Sequence, residues 1–142
     1  MKKLELAYLA GIFDGEGCIQ IARQKPQAQG WSTVNILRCQ VGMANEYIPR
    51  LFQFHFGGSI RYQKPRAEKW QQQWYWCIRS YQALEFLKII LPYLRLKKAE
   101  AELGIKFQSE KKWVGGRNKK SAESLAVEEA QAILMSKLKR KS

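Results

Sequence analysis

The chain has 142 residues, 46% of them apolar, which allows one domain with a real core and excludes an unfolded basic tail. Twenty-five Lys and Arg against twelve Asp and Glu give a net charge of +13, an excess that points to a polyanionic partner. No apolar run has membrane-spanning length and no lipidation motif occurs; three widely spaced cysteines (Cys18, Cys39, Cys77) and a single His fit neither a zinc site nor a disulfide framework.

In chain order, residues 4–14 carry Leu6, Leu9, Ala10 and Phe13 at helical spacing. "GCIQIARQ", residues 17–24, alternates and predicts a strand. "KPQAQGWS" is a turn or loop, and residues 33–43 predict a second strand. Asn45 suits the cap of a helix that tolerates Pro49 in its early turns and stops at Gly57-Gly58. "SIRYQK" predicts a third strand, "PRAEK" a turn and "WQQQWYWCIRS" a fourth strand. "YQALEFLKIIL" predicts a helix interrupted at Pro92, and "LRLKKAEAELGIKFQ" a helical continuation. A basic loop, "KKWVGGRNKKS", leads to a last helix capped by Ser121, running to about Lys139 and ending in the charge run "KLKRKS". The chain enters its first helix almost at once, so no signal or transit peptide is expected. The cysteines, all in strand-like stretches, are expected as buried free thiols in a reducing compartment.

Two hairpins, each preceded by a helix, predict an α+β fold: a four-stranded antiparallel sheet with helices on one face. The other face would be open. Gln20, Gln24, Arg38, Gln40, Arg61 and Gln63 are long and polar, and suit base edges in a DNA groove, where Arg pairs with guanine and Gln with adenine. A plain solvent-facing sheet would show more Lys, Glu and Thr. Alternation in the fourth strand puts Gln71, Gln73, Tyr75 and Arg79 on one face and Trp74, Trp76 and Ile78 on the other. The tryptophans gain most from burial, which places them against the helices; a slip of one residue would reverse the faces.

The stretch "LAYLAGIFDGEGCIQI", residues 6–21, is the most informative. Ala7, Gly11 and Gly15 recur every four residues and share one helix face. A face without side chains admits another backbone, either a second helix, which is favoured, or the chain's own sheet. Asp14 and Glu16 sit at the helix's negative C-terminal end, where each carboxylate is disfavoured by roughly 0.3–1 kcal/mol. Such a conflict marks function. A divalent cation resolves it by neutralising the acids and taking terminal carbonyls as ligands, and oxygen-only donors suit Mg²⁺, with Mn²⁺ able to substitute. The plainer reading, that the acids only bond nearby backbone, fits part of Asp14's role better than Glu16's.

"LAGIFDGEG", residues 9–17, resembles the signature motif of the LAGLIDADG homing endonucleases, and "FGGSI" (56–60) and "LPYLRLKKAEAEL" (91–103) resemble the ends of that family's middle and third helices. The likeness covers roughly residues 4–105, preserves the order of elements, and implies an αββαββα fold with a saddle-shaped sheet in the major groove. The whole chain is expected as one endonuclease domain, with a core of about 4–105 and a helical extension of about 106–142. The motif occurs once, and single-motif members resemble each other in acting as homodimers, so the partner of the Ala7, Gly11 and Gly15 face would be the same helix of a second subunit, and the site a long, roughly palindromic DNA duplex.

The resemblance implies that Glu16 is the catalytic metal-binding acid, with one methylene more than the usual Asp, and that the Gly15 carbonyl also binds metal. It places Asp14 as the other motif acid, which helps tie helix ends together, and Lys97 as the basic residue beside the scissile phosphate, with Lys98 its neighbouring alternative. The Gln that the family sets just behind its metal ligands falls near Gln40, Met43 or Asn45, and Tyr47 stands near the place of an expected Arg. His55, the only His, has no catalytic part in this reading. The implied reaction is metal-dependent hydrolysis of both strands with short 3′ overhangs. Gln73 and Tyr75 join the groove readers, and Arg117, Lys119 and Lys120 are expected to meet phosphates. A family member acting as an intron RNA-splicing maturase, or as a DNA-binding regulator, is the alternative. The expected location is intracellular and reducing: chloroplast or mitochondrion for an organelle-encoded, intron-borne gene, otherwise bacterial cytoplasm.

Overall fold

The computed structural model describes residues 1–24, 34–111 and 121–141, residue 141 by its backbone only. Helix α1 (Lys3–Glu16) runs straight into β1 (Gly17–Gln24), followed by β2 (Val34–Met43) and α2 (Tyr47–Phe56). Strands β3 (Ser59–Gln63) and β4 (Gln73–Arg79) come next, then α3 (Ser80–Ile90) and a 3₁₀ turn at Leu91–Tyr93. Helices α4 (Lys98–Glu110) and α5 (Ala122–Lys141) follow. The strands form one antiparallel sheet in the order β1-β2-β4-β3, so the two hairpins join through β2 and β4.

Register assigns the faces. Ile19 stands opposite Cys39, Cys39 opposite Ile78, Val41 opposite Trp76 and Trp76 opposite Ile60. These side chains, with Leu9 and Phe13 of α1, Phe52 of α2 and Phe86, Leu87 and Ile90 of α3, make the core. Its centre is aromatic: Phe86 meets Phe13, Phe56 and Trp76 at ring-centroid distances of 5.0, 4.7 and 5.1 Å, mostly edge to face, which suits ring quadrupoles. The buried Trp76 indole N–H donates to the Gly57 carbonyl at 2.7 Å, so burial leaves it no unpaired donor. The tryptophans therefore face the helices, as alternation predicts.

Helix α2 ends where expected. The Asn45 side-chain oxygen accepts the Tyr47 N–H at 2.8 Å near its start, and Gly57 and Gly58 take φ of 75° and 94° at its end. A Cβ on Gly58 would lie 2.6 Å from the Cys77 carbonyl oxygen, so this turn demands glycine on both conformation and space.

The structure departs from expectation in three places. Residues 94–108 are not one helix: Leu94–Lys97 leave the helical path and α4 begins at Lys98, because the backbone N–H groups of 95–97 bind a carboxylate of α1. Strand β4 begins at Gln73, not Trp70, since Trp70 closes a turn onto the Ala67 carbonyl at 2.9 Å. Of the cysteines, Cys39 is fully enclosed, while Cys18 and Cys77 are half-buried on the open face.

Helix α5 lies along the outer edge of the sheet. Arg23, near the end of β1, pairs with Glu129 at 2.6 Å, and Cys18, near its start, accepts from the Lys139 ammonium at 3.0 Å. The helix therefore runs antiparallel to β1 and covers an edge that would otherwise expose unpaired backbone groups. Met135 is buried and Leu138 packs on the core, which anchors its last turns. Among the described residues, no helix is long and apolar enough to cross a membrane.

Candidate active site and nucleic-acid interface

The C-terminal end of α1 gathers the motif residues. The Asp14 carboxylate is nearly buried and accepts three consecutive backbone N–H groups, from Arg95 at 2.8 Å, Leu96 at 3.2 Å and Lys97 at 3.1 Å. It caps the approach to α4 from another element. The Lys97 ammonium returns to the Asp14 carbonyl at 2.7 Å. That carbonyl lies beyond the last bond of the helix, in which the Gly17 N–H reaches the Phe13 carbonyl. A cation thus sits on the negative end of the α1 dipole.

Glu16 follows two residues later. It is exposed and has no hydrogen bond or ion pair among the described residues. Lys97 is half-buried, and its bond to the Asp14 carbonyl holds its ammonium at the same helix end. Lys98 is exposed in the first turn of α4 and makes no polar contact among the described residues. The position favoured by the sequence is the one whose ammonium reaches the helix end.

The small-residue face of α1 points outward. Ala7, Gly11 and Gly15 are exposed, and a Cβ added at Gly11 or Gly15 would meet nothing within 4 Å. The helix is therefore not tucked on its own sheet through this face. Leu4, 86% exposed, and Tyr8 extend it as an apolar stripe.

The donor set at this end is hard oxygen: the Glu16 carboxylate, without a partner among the described residues, and the terminal Gly15 carbonyl, which fit Mg²⁺ or Mn²⁺ in kind. It does not fit in number. Among the described residues there is no group of three or more His, Cys, Asp or Glu side chains that could hold a metal ion. Further oxygens would have to come from outside the chain.

The open face of the sheet carries the expected groove readers. Register places Gln20, Gln24, Arg38 and Gln40 there from the first hairpin, and Arg61, Gln63, Gln73 and Tyr75 from the second. Arg38 Nε donates to the Gln20 side-chain oxygen at 3.0 Å, so these two are preorganised as a pair. The Tyr75 ring lies over Gly42, where any Cβ would strike it, and the Arg61 guanidinium stacks on that ring at 4.7 Å. A cleft at the far end of β3 and β4 adds Arg66 and Trp70, which the sequence offers only as a turn residue and the start of a strand. Of the three positions open to the family's Gln, Gln40 stands on the open face, Met43 packs against the core, and Asn45 accepts the Tyr47 N–H just before α2. Arg117, Lys119 and Lys120 lie outside the described residues. His55 is half-buried, 3.4 Å from Glu5 on α1 and away from Glu16 in the helix.

Nothing in the sequence singles out Lys139 beyond the charge run at the end of the last helix, and a charge run does not say which strand its helix lies beside.

No protein-family model matches the sequence, and no curated protein matches it. Solved structures do. The chain is similar to the homing endonuclease I-CvuI in complex with its target, with a TM-score of 0.76 and 22% identity over 95% of this chain and 82% of that one. It is similar to the archaeal intron-encoded homing endonuclease I-Vdi141I complexed with DNA, with a TM-score of 0.73 and 11% identity over 97% and 86%. It is also similar to the I-SmaMI LAGLIDADG homing endonuclease bound to cleaved DNA, with a TM-score of 0.68 and 16% identity over 89% of this chain and 42% of that one. The overlap with these proteins takes in nearly the whole chain, its four-stranded antiparallel sheet included: the chain has the LAGLIDADG homing-endonuclease fold.

Proposed function

We propose that the chain is a homing endonuclease that binds double-stranded DNA as a homodimer and hydrolyses both strands with a divalent metal. The observation that carries this reading is the end of α1, which carries an exposed carboxylate with no partner among the described residues, a lysine ammonium on a terminal carbonyl and an exposed glycine face. A second copy packed through Ala7, Gly11 and Gly15 would bring its own Glu16 to the same seam, and so supply the oxygens that one chain lacks. The interface is isologous, so the DNA site is roughly palindromic. The open sheet faces the major groove, with Gln20, Gln24, Arg38, Gln40, Arg61, Gln63, Gln73 and Tyr75 toward base edges. Arg117, Lys119 and Lys120 meet phosphates.

The chemistry supplied by a bound divalent ion is polarisation of the scissile phosphate and activation of a water. Glu16 and the Gly15 carbonyl would hold it, with further oxygens from the second copy. Asp14 acts by position: its three N–H bonds fix the 95–97 segment, and so the Lys97 ammonium, against α1. Lys97 then stabilises negative charge as it develops on the phosphate. Staggered cuts leave short 3′ overhangs.

The test is cleavage of a randomised duplex library with and without Mg²⁺, followed by sequencing of the products. The expected result is Mg²⁺-dependent cutting of both strands at one family of near-palindromic sites, abolished in Glu16→Gln with DNA binding retained. Wild-type protein that binds nucleic acid but cuts nothing with Mg²⁺ or Mn²⁺ would sink the proposal in favour of a maturase or a regulator.

A further inference from the structure

We propose that the cleft at the turn end of β3 and β4 is a stacking site for one unpaired nucleobase of a single-stranded nucleic acid, with Trp70 as its platform. The inference goes beyond the endonuclease reading and does not depend on cleavage. The cleft, of about 510 Å³, is lined by Lys64, Arg66 and Trp70 together with Gln63, Gln71 and Gln73. Trp70 is 57% exposed, and no ring or cation stacks on it among the described residues. Arg61, a planar cation on the same hairpin, stacks on Tyr75 instead. The side chains of Gln63, Lys64, Arg66, Gln71 and Gln73 make no hydrogen bond or ion pair among the described residues. Gln72 between them turns the other way: its side-chain oxygen accepts the Tyr62 hydroxyl at 3.2 Å, and its amide donates to the Ala44 carbonyl at 3.4 Å. Alternation then gives Gln71 and Gln73 to the cleft.

A solvated hairpin end is the plainer reading, since single exposed apolar residues are ordinary. It accounts for the polar side chains but not for the indole. The turn is closed by backbone, the Trp70 N–H on the Ala67 carbonyl at 2.9 Å, and needs no aromatic ring. The cleft joins a π face, amides that donate and accept, and two cations. A nucleobase with its phosphate has the matching parts: a flat face to stack, polar edges for the amides, and an anion for Lys64 and Arg66. A paired base keeps its faces inside the duplex stack and shows only its edges in the grooves. The occupant is therefore an unpaired base. Single-stranded RNA and DNA share this chemistry and differ in the 2′-hydroxyl.

The test compares affinities, measured without divalent metal, for a short unstructured RNA, the DNA strand of the same sequence and the DNA duplex of that sequence. Trp70→Ala should weaken single-strand binding by about 5- to 150-fold, the range for loss of one base–aromatic stack, and leave duplex binding within about twofold of wild type. Trp70→Phe keeps a π face and should recover most of the loss. A strand of abasic nucleotides, which keeps the phosphates and lacks the bases, should bind wild type and Trp70→Ala alike. The tighter of the two single strands identifies the source of the base, and equal affinity assigns the site to single strands of either kind. A folded Trp70→Ala protein with wild-type single-strand affinity overturns the inference. An equal loss on the duplex or on the abasic strand overturns it as well, because Trp70 would then be a general backbone contact. Wild-type protein without single-strand affinity also overturns it, and leaves the endonuclease reading, which needs only duplex, untouched.

Discussion

Asp14 and Lys97 are joined reciprocally. The Asp14 carboxylate takes the Lys97 backbone N–H at 3.1 Å, and the Lys97 ammonium donates to the Asp14 backbone carbonyl at 2.7 Å. Each residue binds the other's main chain with its own side chain, so neither can move alone. Asp14→Ala leaves three N–H groups at 95–97 without their acceptor and should cost about 3 kcal/mol. Asp14→Asn keeps one acceptor oxygen and should cost less. Urea unfolding of the two variants measures the difference, and equal midpoints would contradict the capping role. Cleavage should fall in both, since each loosens the segment that carries Lys97.

Gly11 separates the protomer from its pairing. It faces open space within the chain, so Gly11→Leu meets no internal obstacle and removes a poor helix former, a gain of up to about 1 kcal/mol in helix stability. A second helix could no longer approach. The expected outcome is a protomer at least as heat-resistant as wild type that sediments as a monomer and binds palindromic duplex weakly. A Gly11→Leu dimer with wild-type affinity would place the interface elsewhere.

What could be read from the sequence follows from the range of the interactions. The glycine face of α1 and the alternation of β2 and β4 are local periodicities, and both emerge as expected, including the inward turn of Trp74 and Trp76. The motif spacing puts Asp14, Gly15 and Glu16 at a helix end, and they are there. The break at Leu94–Lys97 is hidden because it depends on a carboxylate 83 positions away from Lys97, and local propensity in "LRLKKAEAEL" favours an unbroken helix. The burial of Asp14 is half visible: capping fits it, but its three acceptor bonds require the fold. The docking of α5 on β1 is not legible at all, since Arg23–Glu129 and Cys18–Lys139 join elements more than a hundred residues apart.

Gly58 tests the turn that ties α2 to the sheet. Its φ of 94° and the 2.6 Å approach of a would-be Cβ to the Cys77 carbonyl both oppose any side chain. Gly58→Ala should lose about 1–3 kcal/mol of stability. The Trp76 indole bond to the neighbouring Gly57 carbonyl should loosen with it, seen as a red shift and broadening of tryptophan emission. A variant with wild-type stability and emission would show that this turn relaxes freely.

Cys39 gives the fold an alkaline limit. Burial pushes its thiol well above the usual range, and the neighbouring Cys77 and Cys18 push it further the same way. The unfolded chain releases that proton near pH 8.5, whereas the folded protein holds it. Above that pH the unfolded state binds fewer protons, so the stability that Cys39 contributes is fully present below about pH 8.5 and declines as pH rises, by at most about 1.4 kcal/mol per unit. The stability of wild type relative to Cys39→Ala should therefore shrink between about pH 8.5 and 10. In the native protein an exposed-thiol reagent should modify Cys18 and Cys77 first and reach Cys39 only on unfolding. Three thiols reacting together without denaturant, or a difference between wild type and Cys39→Ala that does not change with pH, would show that the enclosure of Cys39 opens readily to solvent.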